Sequence, residues 1–423
     1  MKPVFGLDFG TTNSALSVNI NGRIEIIDID EYNITGKTLR SVIYFDEENN
    51  IFIGQEAIER YIDNGASGRF LQSIKSFLPS KQFVDTYINK KRYELEDLIS
   101  ILLRRIKKKG ENYIKQEVDS VVIGRPVIFS SDPEKDFFAE ERLKRAAEKS
   151  GFKNIKFQFE PVAAAFTFEK TINRKNERNI LIGDFGGGTS DFTIVKLAHS
   201  SQNDKNYKNN ILSLGGVYIG GDKFDAQIMF NKIVKYFGKG TKYKSITGNW
   251  FEIPNHIFQN LCEWHTIFQL KERSVREYIK KIKLTAKSKE LITNLENLIE
   301  HNYGFLLFQS IEKAKIDLSS YDDSKIFFKE PGLLINEEIT KKEFNNIIEE
   351  DIFKIKECVN SVLSRSGLAE KNIDLIFLTG GSSYIPYIRQ IFIEKFGSEK
   401  IKQMDAFTSV AYGLGLSSLF DFV

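Results

Sequence analysis

The stretch ILIGDFGGGTSDFTIV, residues 180–195, is the most informative part of this sequence. An apolar run enters three consecutive glycines, and a second apolar run follows Thr189-Ser190-Asp191. Consecutive glycines cost backbone entropy and add no side-chain packing, so the turn indicates a close approach of the backbone to a ligand. We therefore expect two strands joined by a ligand-binding turn.

A similar layout occurs near the N-terminus, in the stretch GLDFGTTNS at residues 6–14. Asp8 and Asp184 are 176 residues apart, and each begins the pattern Asp-Phe-Gly-…-Thr-…-Ser between two predicted strands. A repeat at this distance indicates duplication of a whole domain rather than a short solenoid period. Two such repeats predict a ligand held between them.

Both turns consist of small residues whose backbone amides can approach an anion closely. Because both join strand to strand, and neither carries the Gly-Lys-Ser/Thr of a P-loop, they differ from Walker and Rossmann turns. For the first turn, an ordinary polar hairpin is the alternative. Asp8 and Asp184 are candidates to hold a hydrated Mg²⁺ ion that bridges phosphates. The candidate phosphate-binding residues are Gly10, Thr11, Thr12, Asn13, Gly186, Gly187, Gly188 and Thr189.

Two further glycine pairs, Gly220-Gly221-Asp222 and Gly380-Gly381-Ser382, are predicted as strand-to-helix turns. A purely structural turn is the alternative for each. Glu312, Lys315 and Ser319 are spaced three and four residues apart, so they share one face of a predicted helix. Such a face could grip a ribose and a base edge, and a surface ion pair is the alternative.

Local patterns predict the surrounding elements. Strands are expected at 4–7, 15–20, 23–29 and 375–378, with a two-residue hairpin turn at Asn21-Gly22. Helices are expected at 134–150, from Pro161 onward, around Ile388, Ile391 and Phe392, and at 409–422. The aromatic-rich stretch 235–310 is predicted to be helical, and it is either core or a surface for a protein client.

Composition excludes several classes of function. The 60 basic and 57 acidic residues leave a net charge of +3, so no electrostatic footprint for nucleic acid or an anionic membrane is expected. Cys262 and Cys358 are too few for a disulfide scaffold, and the 4 histidines form no ligand pattern. The sequence enters a predicted strand at residue 4 and has an acidic residue, Asp8, directly after it, so no signal peptide is expected. No apolar run reaches the length of a membrane-spanning helix. The cytoplasm is therefore the expected location.

Together these motifs resemble the ATPase domain of the DnaK family, the seventy-kilodalton heat-shock chaperones. The two Asp-Phe-Gly turns are similar to that family's phosphate motifs, and 219–225 is similar to the segment that follows them. Residues 312–319 resemble its adenosine helix, and 378–383 its adenosine turn, which together with Tyr384 would hold the nucleoside. The resemblance covers residues 6 to about 413 in order. It implies an α/β, two-lobed actin-like ATPase fold of duplicated ribonuclease-H-like domains, with lobes at 1–178 and 179–423.

The resemblance also implies roles for residues that have no local signature. Lys75, otherwise a surface lysine, corresponds to the family's catalytic lysine, which orients the attacking water and stabilises phosphoryl charge. Glu160, otherwise a helix-start acid, would order water around the metal, and Thr189 would lie beside the γ-phosphate. Asp184 joins these three as a catalytic candidate. Ile316 and Tyr384 stand where many members carry arginines that pack against the base, and 122–126 (VIGRP) replaces the usual Val-Pro-Ala.

We therefore expect Mg²⁺-dependent binding of ATP or ADP and slow ATP hydrolysis that drives lobe closure. A nucleotide-gated binding module with negligible turnover, an actin-like filament former and a sugar kinase are the alternatives. Because the chain ends soon after the last motif, it resembles the short YegD-type putative chaperones. It is then expected not to refold clients alone, and a protein client or co-chaperone is expected to be its partner.

Overall fold

The computed structural model describes residues 2–33, 36–171, 177–197, 210–245, 247–263, 266–403 and 408–421. Its strands are β1 Val4–Phe9, β2 Asn13–Ile20, β3 Arg23–Ile27, β4 Thr38–Arg40, β5 Val42–Phe45, β6 Ile51–Ile53, β7 Arg69–Gln72, β8 Asp85–Ile88, β9 Lys91–Glu94, β10 Ser120–Arg125, β11 Asn154–Phe159, β12 Arg178–Phe185, β13 Ser190–Leu197, β14 Ile211–Val217, β15 Lys242–Lys244, β16 Trp250–Glu252, β17 Asp323–Glu330, β18 Leu333–Thr340, β19 Leu375–Thr379 and β20 Ile401–Gln403.

The α-helices are α1 Gln55–Asp63, α2 Leu95–Ile114, α3 Pro133–Lys149, α4 Glu160–Thr171, α5 Gly221–Ile228, α6 Asn255–Cys262, α7 Arg273–Thr285, α8 Lys289–Glu300, α9 Gly304–Asp317, α10 Lys341–Arg365, α11 Pro386–Phe396 and α12 Ser409–Asp421. Short 3₁₀ helices include Ile74–Phe77 and Gly381–Tyr384. In the part of the chain that the structure describes, no helix is both long and apolar enough to cross a membrane.

Two compact units make up the chain. The first contains Met1–Asp63, Gly68–Gly220 and Phe353–Val423, and the second contains Asn64–Ser67 and Gly221–Ile352. Both strand–turn–strand repeats belong to the first unit, so the boundary between lobes at residues 178 and 179 stays a prediction.

The two large sheets of the first unit have the same topology. The first sheet has the order β11-β10-β1-β2-β3, with β4 also paired to β2, and the second has the order β14-β13-β12-β19-β20. In each sheet the central strand, β1 or β12, is antiparallel to the strand that follows it and parallel to the strand on its other side. The predicted duplication and the mixed α/β fold class are therefore confirmed.

Helix α12 packs on α4 and on strands β1, β2 and β10. Small residues permit this close approach, since a Cβ atom at Gly413 would overlap the backbone of Ala163 in α4. The hydroxyl of Thr167 donates to the Ser409 carbonyl at 2.5 Å, and that of Ser17 donates to the Ala411 carbonyl at 2.6 Å. One apolar cluster runs through this contact and includes residues of both sheets: Val4, Val122, Ala163, Ala164, Ala165, Phe168, Ile180, Ile182, Val195, Phe377, Val410 and Leu414.

Most of the predicted elements are confirmed. Asn21 and Gly22 have φ angles of 52° and 88° and join β2 to β3, as expected of a two-residue hairpin turn. Helix α3, Pro133–Lys149, agrees with the predicted helix 134–150 to within one residue at each end, and its N-cap Asp132 accepts a hydrogen bond from the Glu134 N–H. Helices α4, α11 and α12 also lie where they were predicted.

The stretch 235–310 is helical only in part. Strands β15 and β16 form an antiparallel hairpin inside it, so the prediction of helical structure is wrong there. The aromatic residues divide between core and surface: Phe237 is buried, whereas Trp250 and Phe251 on β16 are about half exposed. Trp264, the side chain of Phe268 and two of the histidines, His199 and His265, lie outside the described residues.

Candidate functional site

The two predicted phosphate turns lie at the ends of matching strand pairs and close to each other. The first turn joins β1 to β2, and the second joins β12 to β13 and is closed by the Gly186 N–H, which donates to the Thr189 carbonyl at 2.9 Å. A Cβ atom at Gly188 would lie 3.1 Å from Oγ1 of Thr11. Although Thr11 and Gly188 are far apart in the sequence, the fold therefore brings the two turns together.

Neighbouring segments support these turns. The Ser41 hydroxyl donates to the Gly10 carbonyl at 2.7 Å, and the Ser41 N–H donates to the Thr12 carbonyl at 2.8 Å. A Cβ atom at Gly10 would overlap the backbone oxygen of Asn13, so only glycine fits at position 10. These contacts fix the backbone that would face an anion.

Two other predicted glycine residues flank the second turn. A Cβ atom at Gly220 would lie 2.7 Å from the Gly186 carbonyl oxygen, and Gly380 has a φ angle of 80° beside the backbone of Phe185. Positive φ angles of this size favour glycine. Gly10, Gly186, Gly188, Gly220 and Gly380, predicted separately from the sequence, are thus gathered in one region of the first unit.

Asp8 and Asp184 occupy equivalent positions near the ends of β1 and β12. Burial raises the pKa of Asp8 to about 7, and the Glu160 carboxylate adds to this rise while the Lys75 ammonium opposes it. Burial also raises the pKa of Asp184 well above its usual value, and Glu160, Asp8 and Asp191 add to that rise. These mutual effects mean that the acidic side chains are electrostatic neighbours.

Lys75 and Glu160 form a buried ion pair. Nζ of Lys75 donates to Oε1 of Glu160 at 2.8 Å, and the two side chains are only 8% and 11% exposed. Lys75 lies in the short 3₁₀ helix Ile74–Phe77, and Glu160 is the first residue of α4, directly after β11. The alternative that Lys75 is a surface lysine is therefore wrong.

Asp191 is a member of this cluster that the sequence did not single out. It lies opposite Asp184 in the β12–β13 pair, and Oδ1 accepts a hydrogen bond from the Val127 N–H at 2.8 Å. Burial raises its pKa to about 7, and Glu160 adds to the rise. Its position, symmetric with Asp184 across the glycine turn, was the signal in the sequence that could have identified it.

The cluster contains an excess of negative charge that fits a bound cation. The carboxyl groups of Asp8, Glu160, Asp184 and Asp191 influence one another, and one ammonium group, that of Lys75, opposes them. A divalent cation would lower the electrostatic cost of ionising several buried carboxyl groups together. Among the described residues, no three His, Cys, Asp or Glu side chains are close enough to hold a metal ion directly. The assignment of Asp8 and Asp184 as metal-binding residues remains a prediction.

The predicted adenosine helix is described within the second unit. Glu312 and Lys315 lie on α9, but α9 ends at Asp317 and Ser319 lies in the following turn, where its N–H donates to the Ile316 carbonyl. The prediction that all three share one helix face is therefore wrong for Ser319. The chain leaves the helix two residues before the spacing pattern ends.

Lys315 forms hydrogen bonds with partners that the sequence did not predict. Nζ of Lys315 donates to Oδ2 of Asp225 at 2.7 Å and to the Gly221 carbonyl at 3.1 Å. Both side chains of the ion pair are 11% exposed, so this is not the surface pair considered above. Burial alone would lower the pKa of Lys315, but the carboxylates of Asp225 and Glu312 raise it above its usual value.

The predicted adenosine turn follows β19 and forms the 3₁₀ helix Gly381–Tyr384. Ser382 is buried, whereas the Tyr384 side chain is 49% exposed. Ile316 on α9, the other position that departs from the family pattern, is 59% exposed.

Comparison with known proteins agrees with this arrangement. A family model described as Hsp70 protein matches residues 4–79, 71–247 and 292–418. The chaperone protein DnaK of Carsonella ruddii (strain PV) is 25% identical over 447 residues, which cover 99% of this chain and 62% of the relative. The chaperone protein DnaK of Thermosipho melanesiensis is 25% identical over 423 residues, which cover 98% of this chain and 59% of the relative. This chain thus spans about three fifths of the length of these relatives, and it belongs to the Hsp70 family.

Proposed function

We propose that this chain binds ATP with Mg²⁺ and hydrolyses it slowly, as a chaperone-like ATPase. The observation that carries the proposal is the buried Lys75–Glu160 pair, which shares one electrostatic cluster with Asp8 and Asp184 beside two glycine turns. A buried ion pair adds little to stability compared with apolar residues, so its presence here is better explained by chemistry.

The two turns would bind the phosphates. Backbone N–H groups of residues 10–13 and 186–189 would contact the phosphate oxygens, and the hydroxyls of Thr11, Thr12 and Thr189 would add donors. Thr189 would lie beside the γ-phosphate. The hydrogen bonds that fix Gly10 and Gly186 support this part of the proposal, because donors held in place need no reorganisation when the anion binds.

Asp8 and Asp184 would hold Mg²⁺, mostly through water, since this ion keeps several water ligands in proteins. When bound, the ion neutralises phosphate charge. The carboxyl groups whose pKa values are raised by burial and by one another support this assignment.

Hydrolysis would proceed by attack of water on the γ-phosphate. The Lys75 ammonium would orient this water and stabilise the charge that develops on the transferred group, and Glu160 would hold both Lys75 and nearby water. Asp184 and Thr189 would complete the set of catalytic residues. Positioning and electrostatics would therefore supply most of the acceleration.

The nucleoside would be held by the predicted adenosine helix and turn. We assign this role to Gly220, Gly221, Glu312, Lys315, Ser319, Gly380, Gly381, Ser382 and Tyr384. Lys315 would contribute while remaining paired with Asp225, and the Tyr384 ring would offer a stacking surface in place of an arginine.

Closure of two lobes, 1–178 and 179–423, would be the output of nucleotide binding. The relatives are named as chaperones, so we propose a protein client or co-chaperone as the partner, in the cytoplasm. The near balance of charge favours neither nucleic acid nor a membrane as partner.

A binding module with negligible turnover is the second candidate. The exposed residues Ile316 and Tyr384 favour the binding module, because neither carries the positive charge of the arginines that many family members place against the base. Weak nucleotide binding would then limit turnover.

Single-turnover hydrolysis with radiolabelled ATP separates the two functions. Protein in excess over ATP should convert the bound nucleotide to ADP and phosphate in the presence of Mg²⁺, and an Asp184→Asn variant should not. Binding of ATP without any conversion, in wild-type protein, would support the binding module and refute the ATPase.

A further inference from the structure

Lys75 lies in a segment that has little regular structure of its own. Strand β7 ends at Gln72, β8 begins at Asp85, and between them the backbone forms a single turn of 3₁₀ helix, Ile74–Phe77. A long lysine side chain can hold a defined position only if the backbone below it is fixed. Contacts from other elements of the fold must therefore fix the backbone of residues 73–84.

Arg142, on helix α3, donates hydrogen bonds to the backbone of this segment. Its Nη1 donates to the Ser80 carbonyl at 3.1 Å and to the Phe77 carbonyl at 3.4 Å, and Nη2 donates to the Phe83 carbonyl at 3.1 Å. One guanidinium group thus bonds three backbone oxygens within seven residues of chain.

The same guanidinium is anchored on helix α2. Nε and Nη2 of Arg142 donate to the two carboxylate oxygens of Glu96 at 3.1 and 3.2 Å. The Arg142 and Glu96 side chains are only 3% and 9% exposed. A planar fork with five donors can satisfy a carboxylate and several carbonyls together, and the single ammonium of a lysine cannot.

The fixed segment leads directly to Lys75. The Leu78 N–H donates to the Lys75 carbonyl at 3.1 Å, and the Ser80 N–H donates to the Phe77 carbonyl at 2.9 Å. We propose that Arg142 is a positioning residue, whose guanidinium fixes residues 77–83 and thereby holds the Lys75 ammonium against Glu160. Its effect on hydrolysis rests on the proposed function, whereas its effect on the position of Lys75 does not.

The chain provides a matched control one turn farther along α3. Arg145 donates to the same Glu96 carboxylate at 2.9 Å, but its side chain is 48% exposed. Replacing either arginine removes one positive charge beside Glu96. Of these two arginines, Arg142 but not Arg145 donates to the carbonyls of Phe77, Ser80 and Phe83 among the contacts of the described residues.

The first experiment measures, without nucleotide, how strongly burial and pairing protect the Lys75 ammonium from chemical modification. Acylation of lysines by an amine-reactive ester, followed by mass spectrometry, should be slow at Lys75 in the wild-type protein because its ammonium is buried and paired. We expect Arg142→Gln to raise the rate of Lys75 acylation about tenfold or more and to speed amide hydrogen exchange in residues 73–83. Arg145→Gln should leave both rates near those of the wild type.

A second buried lysine reports on general unfolding. Lys315, in the other compact unit, is paired with Asp225 and is similarly buried. Its acylation rate should stay unchanged in Arg142→Gln. If Arg142→Gln does not fold, Arg142→Lys takes its place, because it keeps the charge beside Glu96 and loses the planar fork.

The second experiment tests whether Arg142 acts through Lys75. In single-turnover assays, Arg142→Gln should slow hydrolysis about tenfold with little change in the Kd for ATP, and it should have no further effect in a Lys75→Ala background. Full additivity of the two substitutions would overturn the proposal. So would unchanged Lys75 acylation in a folded Arg142 variant. If the wild-type protein shows no hydrolysis, the proposed function fails, and the acylation result still decides the role of Arg142.

Discussion

Nζ of Lys75 lies 2.8 Å from Oε1 of Glu160, although 85 residues separate the two in the sequence. Both side chains are buried, and the charges of this pair affect the pKa values of Asp8, Asp184 and Asp191. The desolvation cost of such a pair is large, and replacing it with apolar residues is often neutral or stabilising. This cost is the reason for which we propose a chemical role for the pair.

Replacement of Lys75 should separate nucleotide binding from hydrolysis. We expect Lys75→Ala to slow single-turnover hydrolysis at least about tenfold, equivalent to about 1.4 kcal/mol of transition-state stabilisation, with ATP affinity nearly intact. The reason is that an ammonium which orients water and stabilises developing charge acts mainly in the transition state. Rates and the Kd for ATP would be measured on the same preparation.

Lys81→Ala is the control for this prediction. Lys81 lies six residues farther along the chain and forms an exposed ion pair with Glu134 at 3.2 Å. Its removal should change neither rate nor affinity. Equal turnover in Lys75→Ala and in the wild-type protein would contradict the catalytic assignment.

Nucleotide binding should raise thermal stability. A ligand that binds only the folded state stabilises it by mass action, by about 2.7 kcal/mol at 100 times its Kd. MgATP and MgADP should each raise the Tm of the wild-type protein in a concentration-dependent way, with a much smaller rise for Asp8→Asn. An unchanged Tm at millimolar MgATP and MgADP would refute the nucleotide site.

The stability of the metal-free protein should depend on the ionisation of Asp8. Its pKa is raised by burial to about 7, above the ordinary value near 3.8, so the folded state binds the proton more tightly than the unfolded state. The stability that this proton contributes is present at low pH and is lost as pH rises through about 7. We therefore expect the Tm without Mg²⁺ to fall as pH rises from about 4 to about 7, and to change little above that.

Asp8→Asn tests the origin of that pH dependence. The amide does not titrate, so the fall in Tm should become smaller in this variant, and the other buried carboxyl groups with raised pKa values, those of Asp184, Asp191 and Asp225, would supply what remains. Addition of Mg²⁺ to the wild-type protein should also reduce the fall, because the cation replaces the proton. A pH profile that is identical in the wild type and in Asp8→Asn would show that Asp8 is not the responsible group.

Local sequence patterns predicted most of the elements. The Asn21-Gly22 hairpin, helix α3 with its Asp132 cap, and the glycine turn before β13 each depend on residues close together in the sequence. The repeat of Asp8 and Asp184 also predicted the duplication of the sheet, because similar local patterns form similar strand pairs. The hairpin of β15 and β16 was missed because its strands, Lys242–Lys244 and Trp250–Glu252, are too short for an alternating pattern to stand out.

The partners of charged residues could not be predicted, because they lie far away in the sequence. Lys75 has no local signature that indicates Glu160, and Arg142 reads as one more charge on the surface of α3. Lys315 pairs with Asp225, 90 residues away, although its spacing suggested Glu312 and Ser319. Spacing along a helix identifies a shared face, whereas the partner depends on which element packs against that face.

Two glycines of the first unit, Gly413 and Gly381, should respond differently to substitution by alanine. Gly413 lies in α12, where a Cβ atom would overlap the backbone of Ala163, whereas a Cβ atom at Gly381 would have no described heavy atom within 4 Å. Alanine is favoured over glycine inside a helix by up to about 1 kcal/mol. The overlap at Gly413 should reverse this preference.

We expect Gly413→Ala to lower the free energy of unfolding by about 1–3 kcal/mol, the usual cost of adding atoms to a packed contact. Gly381→Ala should leave that free energy within about 0.5 kcal/mol of the wild type, because no neighbour must move. Denaturant unfolding monitored by circular dichroism would provide both values.

Gly381→Ala should also weaken ATP binding, measured by calorimetry, because the added methyl group would stand in the turn assigned to the nucleoside. Stability equal to the wild type in Gly413→Ala would show that α12 and α4 do not depend on this close approach. Unchanged ATP affinity in Gly381→Ala would remove Gly381 from the nucleotide site.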